Sequence, residues 1–412
     1  MKGIPAELQH ETLNKTFQKL PAPPNLVFSN MFASQNYESD RIRWLLEYGT
    51  AGMTPFVAPG APAPAMGDDA MYSEGSAAAA YWKEKVFLEE LRLNNLREPL
   101  GSMQRQTAQK QLARQQMRLN NRCLRRREWM WAKAFFDHGF SYTRENGTKF
   151  TVTYGVPARH NVSLTGDDVW WDDTTGEPGD NATPIQDIFE VLSTFADDVG
   201  TPITNTFMNT NVLRYLMFNA DLQTLLQKST FGNGDLFSNP AQVIGSLLGL
   251  TNLTVYDDLF EITAWLASAA AIGDTVITLD DVVDFEAGES VRFYRLDTPY
   301  DYEEYTIQSV DASNNTITLT AAITAAYAVN RCRVTMRKKF ITDDKVGFFA
   351  QALDGEKISE FMLAPFGMDR RWGMYADSKE EWDPDGIWMR VQNKGLPVIY
   401  HPNCIFTLNI KE

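Results

Sequence analysis

Residues 102–139 read SMQRQTAQKQLARQQMRLNNRCLRRREWMWAKAFFDHG, and this stretch decides how the chain is organised. It contains no Pro and no internal Gly, and it is rich in Gln, Arg, Leu, Met and Ala, which favour helices. Ser102 can cap the start of a helix, and Gly139 can stand just past its end. The sequence therefore predicts a helix over 102–138, roughly 50 Å long at about 1.5 Å per residue.

The two halves of this predicted helix differ in polarity. The half that ends at Leu124 is mostly polar, so we expect it to lie across a surface. The segment WMWAKAFF, which begins at Trp129, is apolar on all sides apart from Lys133. A helix that is apolar all round is buried, so the second half should belong to the core.

The predicted helix is also basic. It carries nine Lys or Arg residues against Glu128 and Asp137, a net charge of +7 in a chain of net charge −15. Such a helix can bind nucleic acid. In so acidic a chain, pairing with acidic groups of its own or an adjacent subunit is the simpler interpretation. The residues singled out on this helix are Arg118, Arg122, Arg125, Arg126, Arg127, Glu128 and Trp129.

The chain before the helix predicts an arm and a hairpin. The prolines of Leu20–Leu26 favour extended structure, and the apolar residues after them can anchor an arm on another body. Arg41–Tyr48 and Met53–Ala58 are strand-like, Glu74–Ala77 is the expected tip, and Tyr81–Leu88 is the return strand. A long hairpin without a core of its own is either mobile or braced by a partner.

After the helix, helical and strand patterns alternate, which predicts a mixed α/β body. The clearest amphipathic helix is Pro184–Val199, with Phe189 among the residues expected on its inner side. From 263 to 337 five short strands follow without a helix signal, which suggests a small β-barrel or sandwich. Residues 273–330 hold eleven acids against Arg292 and Arg295, so this compact acidic unit is most simply an insertion.

No catalytic, cofactor or metal site is predicted. The sequence lacks the common phosphate-binding, hydrolase and metalloprotease motifs, and its four histidines are scattered. Cys123, Cys332 and Cys404 are too far apart for a disulfide framework or zinc site. The six acids of Gly166–Asn181 do not follow the EF-hand spacing, so a solvated loop is favoured over a calcium site. Neither a signal peptide nor a membrane span is expected.

Three stretches resemble the lambda-type phage major capsid proteins, the capsid protein E family. They are Leu20–Pro24, Pro55–Gly60 and Arg126–Ala134, which reads RREWMWAKA at the end of the long helix. The resemblance extends over the chain apart from the acidic β unit. It implies an α+β fold of the tailed-phage (Hong-Kong-ninety-seven-like) major capsid type, with an N-arm, an extended loop, a spine helix, and peripheral and axial domains, to which a small all-β domain is added.

The resemblance also implies boundaries for these parts. They are the N-terminal arm at 1–45, the extended loop hairpin at 46–97, the peripheral domain at 98–198 with the spine helix at 102–138, the axial domain at 199–262 and 338–380, the inserted β domain at 263–337, and the closing strands at 381–412. The extended loop should reach over a neighbouring subunit and the arm should strap another. The assembly contacts expected in these two parts are Pro23, Phe28, Phe32, Phe56, Tyr72, Glu74, Ser76, Tyr81 and Trp82.

The function implied is a major capsid protein and not an enzyme. Copies would form hexamers and pentamers of an icosahedral head around double-stranded DNA, without sequence-specific binding and without a membrane. Expected partners are the protein itself, a scaffold or protease, a portal and a decoration protein, with assembly in the host cytoplasm and final location in the virion. Two alternatives stay open: a cellular nanocompartment shell of the same fold, and a glycan-binding phage structural protein that uses the β unit.

Overall fold

The computed structural model describes residues 6–20, 23, 25–48, 56–57, 62, 71–97, 103–143, 149–165, 171, 182–229, 233–282, 284–296, 301–329, 331–353, 355–383 and 385–411. Helices and strands are mixed along the chain, so the predicted α+β class is confirmed. Most of the predicted strand Met53–Ala58, the acidic segment Gly166–Asn181 apart from Trp171, and the predicted cap Ser102 lie outside the described residues.

The helices of the described residues vary from one turn to more than nine. None of them is long and apolar enough to cross a membrane. In chain order they are α1 (His10–Lys19), α2 (Val27–Met31), α3 (Glu90–Arg97), α4 (Met103–Phe136), α5 (Pro184–Val199), α6 (Thr210–Phe218), α7 (Ala220–Lys228), α8 (Asn233–Ser238) and α9 (Pro240–Leu248).

The strands are mostly short, with one of fifteen residues near the carboxyl end. In chain order they are β1 (Ser34–Asn36), β2 (Arg41–Tyr48), β3 (Met71–Ala78), β4 (Ala80–Glu89), β5 (Gly139–Thr143), β6 (Lys149–Thr153), β7 (Asn161–Ser163), β8 (Asn205–Met208), β9 (Leu253–Val255), β10 (Leu259–Trp265), β11 (Val276–Thr278), β12 (Ser290–Arg295), β13 (Tyr302–Asp311), β14 (Thr316–Leu319), β15 (Cys332–Lys339), β16 (Lys345–Phe349), β17 (Ala352–Leu353), β18 (Glu356–Lys357), β19 (Ser359–Leu363), β20 (Tyr375–Trp382), β21 (Asp385–Ile399) and β22 (Ile405–Asn409).

The described residues divide into two compact units, one of residues up to 256 and from 343 onward, the other of 257–342. The first unit contains two five-stranded sheets. One has the order β1-β19-β21-β20, with β4 also paired to β21; the other has the order β7-β22-β16-β8-β9. Helix α4 packs on the first sheet through β21 and β4, and α5 packs on the second through β22.

Helix α4 begins and ends within two residues of the predicted helix 102–138, but its end differs from the prediction. The residue in the left-handed region is His138, with φ of 55°, and not Gly139. Gly139 is the first residue of β5. A Cβ at Gly139 would collide with the carbonyl oxygen of Val152 on the paired strand β6. Glycine is therefore required there by close strand approach, and not by the helix end.

The second half of α4 enters an aromatic core, as its sequence predicts. Trp131, Phe135 and Phe136 are almost fully buried, and the Phe135 ring stacks on that of Phe349 with centroids 4.8 Å apart. Trp129 is only partly buried, contrary to the expectation of core packing for the whole segment. Its ring meets Phe140 edge-on at 5.7 Å.

The sequence analysis missed several local features of the first unit. The arm contains helix α1, which packs on β20 and precedes the proline segment; α1, α3 and α8 were not predicted. The closing region contains the fifteen-residue strand β21, which runs without a break through the polar Gln392 and Asn393, both buried within the sheet. Phe189 of α5 is 49% exposed, so its expected inward position is wrong.

The second unit is a six-stranded antiparallel sheet of order β10-β15-β12-β13-β14-β11. Its edge strands β10 and β11 meet through a bridge between Leu266 and Leu279, and the Asp280 amide donates to the Trp265 carbonyl oxygen at 2.9 Å. The sheet thereby approaches a closed barrel. Its interior is apolar, with the ring of Phe293 5.4 Å from Tyr305 and 5.3 Å from Tyr327.

Candidate assembly surfaces

The hairpin of β2 and β3 has two different faces. Because side chains alternate along a strand, Ile42, Trp44 and Leu46 share one face and Arg43 and Leu45 share the other. The first three are nearly fully buried in the single chain, whereas Leu45 is 50% exposed. The hairpin is therefore supported on one face by its own chain and offers only the other to a partner.

On the buried face of the hairpin, the side chain of Trp44 covers Gly75 of the paired strand. Trp44 lies directly opposite Gly75 in the register of β2 and β3. A Cβ at Gly75 would come closer to the Trp44 indole than the 3.0 Å that real Cβ atoms keep. On its other side the indole contacts the ring of Tyr154, with centroids 6.1 Å apart. This stack holds the hairpin against the first unit.

The outward face carries most of the assembly residues expected in the extended loop. Tyr72 is 49% exposed, and Glu74 and Ser76 are also exposed. Glu74 lies opposite Leu45 within the ladder, so the expectation that Glu74–Ala77 forms the tip is wrong. The turn signal there was Gly75, which instead makes room for Trp44. Phe56, in the connection between the two strands, is fully exposed.

Hydrogen bonds hold the hairpin at both of its ends. The amide of Glu47 donates to the carbonyl oxygen of Tyr400 at 2.9 Å. The amide of Ala79 donates to the carbonyl oxygen of Asp40 at 3.0 Å. The Tyr142 hydroxyl donates to the carbonyl oxygen of Ala78. Motion of the hairpin as a whole therefore requires the bonds of Glu47 and Tyr142 to break, whereas the bond between Ala79 and Asp40 closes the base of the hairpin.

The return strand β4 places Tyr81 and Trp82 differently. Tyr81 is 43% exposed, and its hydroxyl donates to Gln392 Oε1 at 2.6 Å. Trp82 is partly buried against the long helix, where its Nε1 donates to Cys123 Sγ at 2.9 Å. Burial raises the pKa of the Cys123 thiol to about 12, so this thiol stays neutral and unreactive. Tyr81 remains available to a neighbour, whereas Trp82 mainly serves its own subunit.

Two expected arm contacts are corrected by the structure. Phe28 is fully buried and Phe32 is 6% exposed, both in the core of their own chain. The Phe28 ring lies 5.0 Å from that of Phe207, and the Phe32 ring lies 4.6 Å from that of Trp131. Apolar rings without exposed surface cannot anchor an arm on another body. Pro23 is partly exposed and remains a candidate contact.

Glu128 holds the arm from inside the first unit. Its carboxylate is fully buried and accepts from the amides of Phe28 and Ser29, at 2.9 and 2.8 Å, and from the Tyr256 hydroxyl at 3.0 Å. Burial raises the pKa of this carboxyl, while these hydrogen bonds act to lower it. The adjacent Arg127 has its pKa lowered to about 10 by burial, and its guanidinium lies over the Phe361 ring at 4.6 Å.

The cations of the long helix are only partly matched by acids of the same chain. Arg122 Nε lies 2.7 Å from Glu84 Oε2, and Arg105 pairs with Glu7 at 3.1 Å. Arg125 and Arg126 are partly buried, and Arg126 lies over the Trp129 ring at 5.2 Å. Arg118 is exposed and has no partner among the described residues. The exposed cations Lys110, Arg114, Arg118 and Arg122 repeat every fourth residue and so form a stripe along α4.

A search for known relatives gives one family and a set of solved structures. The sequence profile of a family described as phage major capsid protein E matches residues 10–257, which is more than half of the chain. No curated protein matches the sequence significantly.

Three solved structures resemble the fold at low sequence identity. One is assigned as the capsid protein of a prophage of Escherichia coli CFT073, with TM-score 0.47, 13% identity, and coverage of 96% of this chain and 94% of that one. A phage-related protein from Bordetella bronchiseptica RB50 gives TM-score 0.46 and 9% identity, with coverage of 98% and 97%. The capsid of cyanophage P-SCSP1u gives TM-score 0.43 and 9% identity, with coverage of 99% and 92%.

Proposed function

This chain belongs to the phage major capsid protein E family, and from that premise we propose that its copies form the hexamers and pentamers of an icosahedral head around the double-stranded DNA of a tailed bacteriophage. Membership of the family makes the protein a structural shell component of a phage virion and not an enzyme. Its mixed helix-and-sheet architecture is consistent with the tailed-phage capsid fold. The arrangement of subunits within the shell is the proposed part.

The observation that carries this arrangement is the two-faced hairpin of β2 and β3. Its inner face is closed by Trp44 and Ile42, yet Leu45 and Tyr72 on the outer face remain about half exposed in the single chain. Two large, half-exposed apolar side chains on the outer face of a two-stranded hairpin are best stabilised by a second protein surface. We therefore assign this face, with Glu74, Ser76 and Tyr81 beside it, to contact with the next subunit.

Contacts of this kind are head-to-tail, because the outer face of one copy meets a different surface of the next. Such heterologous contacts close into rings when the rotation between copies is a whole fraction of a turn. Rings of six and five copies then tile a closed shell. Pro23 and the exposed part of the arm add a second contact between copies, since the arm beyond it is fixed to its own subunit by Phe28 and Glu128.

We assign the acidic β unit to the outer surface of the shell. The family match ends at residue 257, where this unit begins. Its segment 273–330 holds eleven acids against two arginines, and a surface of that charge would be repelled by packaged DNA. On the outside it thickens the shell or supplies contacts that a decoration protein would otherwise make. A particle map with Asp280 and Glu289 facing the lumen would contradict this placement.

Further partners follow from the same proposal. A shell that assembles in the host cytoplasm needs a scaffold or protease to set its size, and a portal through which DNA enters. The exposed cations Lys110, Arg114 and Arg118 can attract DNA phosphates or acidic protein without reading sequence. Binding of this kind weakens as salt rises, which distinguishes it from apolar contact between subunits.

The test is the assembly state of the purified full-length protein, measured by light scattering and by negative-stain microscopy of the same fractions. Shells, rings or tubes with sixfold and fivefold units support the proposal. A folded monomer at every concentration and salt, even with the neighbouring head genes co-expressed, would contradict it. Particles that contain cargo enzymes and no DNA would indicate a nanocompartment, and glycan binding by a monomer would indicate a glycan-binding protein.

A further inference from the structure

Three side chains with metal-binding atoms converge near the end of β2, next to the connection between β2 and β3. Glu47 lies in β2, Glu356 in β18, and His401 two residues beyond the end of β21. One ligand atom of each lies within 4.8 Å of the others. None of these residues belongs to the assembly contacts described above, and no motif in the sequence connects them, because they are distant along the chain.

Backbone hydrogen bonds hold the three segments together independently of these side chains. The Glu47 amide donates to the Tyr400 carbonyl oxygen at 2.9 Å, and the Tyr400 amide donates to the Ile358 carbonyl oxygen at 2.8 Å. Tyr400 precedes His401, and Ile358 follows Glu356 by two residues. The cluster is therefore fixed by the fold and is not a chance meeting of long side chains.

The histidine of this cluster is buried beside the two carboxylates. Only 4% of His401 is exposed, and its Nδ1 has no hydrogen-bond partner among the described residues. Its Nε2 lies 3.8 Å from Glu356 Oε2, which is too long for a hydrogen bond. Because Nε2 is the ring nitrogen that faces Glu356, it is the atom that can bind an ion beside the two carboxylates.

We propose that Glu47, Glu356 and His401 bind a divalent transition-metal ion of the Zn²⁺ type. One imidazole nitrogen and two carboxylates are a common ligand set for such ions, and a water molecule completes the coordination. Ligand atoms bound to one zinc ion stand about 3.4 Å apart, so the cluster must contract by about 1 Å. Glu356 allows this contraction, because its side chain is 74% exposed and can turn toward His401.

A metal ion at this site joins the hairpin to the body of the first unit. Glu47 belongs to the strand that leads into the connection between β2 and β3, whereas Glu356 and His401 belong to the body. The ion therefore restrains the far end of the hairpin beyond what the backbone hydrogen bond of Glu47 achieves. Metal binding becomes a means of holding that end against the hairpin's own subunit.

The test measures Zn²⁺ affinity of the full-length protein by competition with a chromophoric chelator. The variants are Glu47→Gln and Glu356→Gln, which remove ligands without opening the core, and the matched control is Glu380→Gln, at an exposed glutamate of β20. We expect wild type and Glu380→Gln to bind one ion with equal affinity, and each site variant to bind it about tenfold or more weakly.

Hydrogen exchange supplies the second readout. Added Zn²⁺ should slow amide exchange in residues 41–48 of the wild type and of Glu380→Gln, but not of Glu47→Gln. Zinc bound equally by all four proteins would place the ion elsewhere, for example at the acids of 167–180, and would overturn the proposal. Absence of saturable zinc binding by the wild type would overturn it as well.

Discussion

The buried carboxylate of Glu128 caps a helix one hundred residues away, since its Oε1 accepts a hydrogen bond from the amide of Phe28 at 2.9 Å. Helix α2, which contains Phe28, has no side-chain cap from its own N-cap residue Leu26. The negative carboxylate also lies where the positive end of the α2 dipole stabilises it. The long helix thus fixes the arm by both packing and a buried hydrogen-bond network.

Replacement of Glu128 by Gln should destabilise the first unit. The amide side chain keeps the shape but offers one acceptor oxygen where two amides and the Tyr256 hydroxyl now donate. Leaving a buried donor unsatisfied costs about 1–3 kcal/mol. Urea denaturation of the unassembled protein measures the loss, with Glu84→Gln as the control because Glu84 forms only an exposed ion pair with Arg122. Equal stability of the two variants would show that the buried cap contributes nothing.

Gly75→Ala should destabilise the hairpin through Trp44. The added methyl group would overlap the indole, and overpacking of this kind costs about 1–3 kcal/mol. In the Trp44→Leu background the same substitution should cost much less, since the smaller side chain leaves room. Urea denaturation of the four proteins gives this coupling energy. Gly234→Ala in α8 is the control, because no atom lies within 4 Å of a Cβ there and alanine favours a helix.

The pH dependence of stability should have a contribution from His138. Burial lowers the pKa of His138 to about 4, while Asp137 opposes this shift and Lys345 and His160 support it. Between its ordinary pKa of 6.5 and about 4, the unfolded chain binds a proton that the folded chain does not. Stability is therefore lost as pH falls through this window, by an amount on the order of 1–3 kcal/mol.

His138→Asn should remove that contribution, because asparagine does not titrate and tolerates the left-handed backbone at this position. Unfolding midpoints at pH 7 and pH 5 should differ less in this variant than in the wild type. His10→Asn, at an exposed histidine, is the control for loss of one imidazole. A pH dependence of His138→Asn identical to that of the wild type would refute the assignment.

The sequence predicted elements that depend on local pattern. The long helix, α5 and five of the six strands of the β unit follow from periodicity and from turn residues, whereas β10 begins at Leu259, before the predicted start of that unit at 263. Phe28 and Phe32 could not be placed in the same way. An apolar residue in a proline-rich arm has the same pattern whether it packs on its own chain or on another, and only the tertiary fold decides.

The candidate site was predicted less completely than the fold. Glu128 did carry a signal, because it is an acid between three arginines and an apolar segment, and a carboxylate at the edge of a core requires hydrogen-bond donors. The identity of those donors could not be read from sequence, since they come from α2 and Tyr256. The cluster of Glu47, Glu356 and His401 carried no sequence signal at all, since only the pairing of distant segments brings it together.

Assembly should depend on the outer face of the hairpin and not on exposed apolar residues in general. Replacing both Leu45 and Tyr72 by Ser removes two half-exposed apolar side chains from the proposed contact while the buried Trp44 face stays intact. Full burial of one such side chain is worth about 1.5–3 kcal/mol. The lowest protein concentration that gives particles in light scattering should therefore rise by about tenfold or more, with an unchanged circular dichroism spectrum.

The matched control replaces Ile272 and Leu296 by Ser. These two residues of the β unit have side chains at least as exposed, at 68% and 52%. That control should assemble like the wild type. If both double variants assemble equally well, the hairpin does not form the contact, and if only the control fails, the β unit forms it instead.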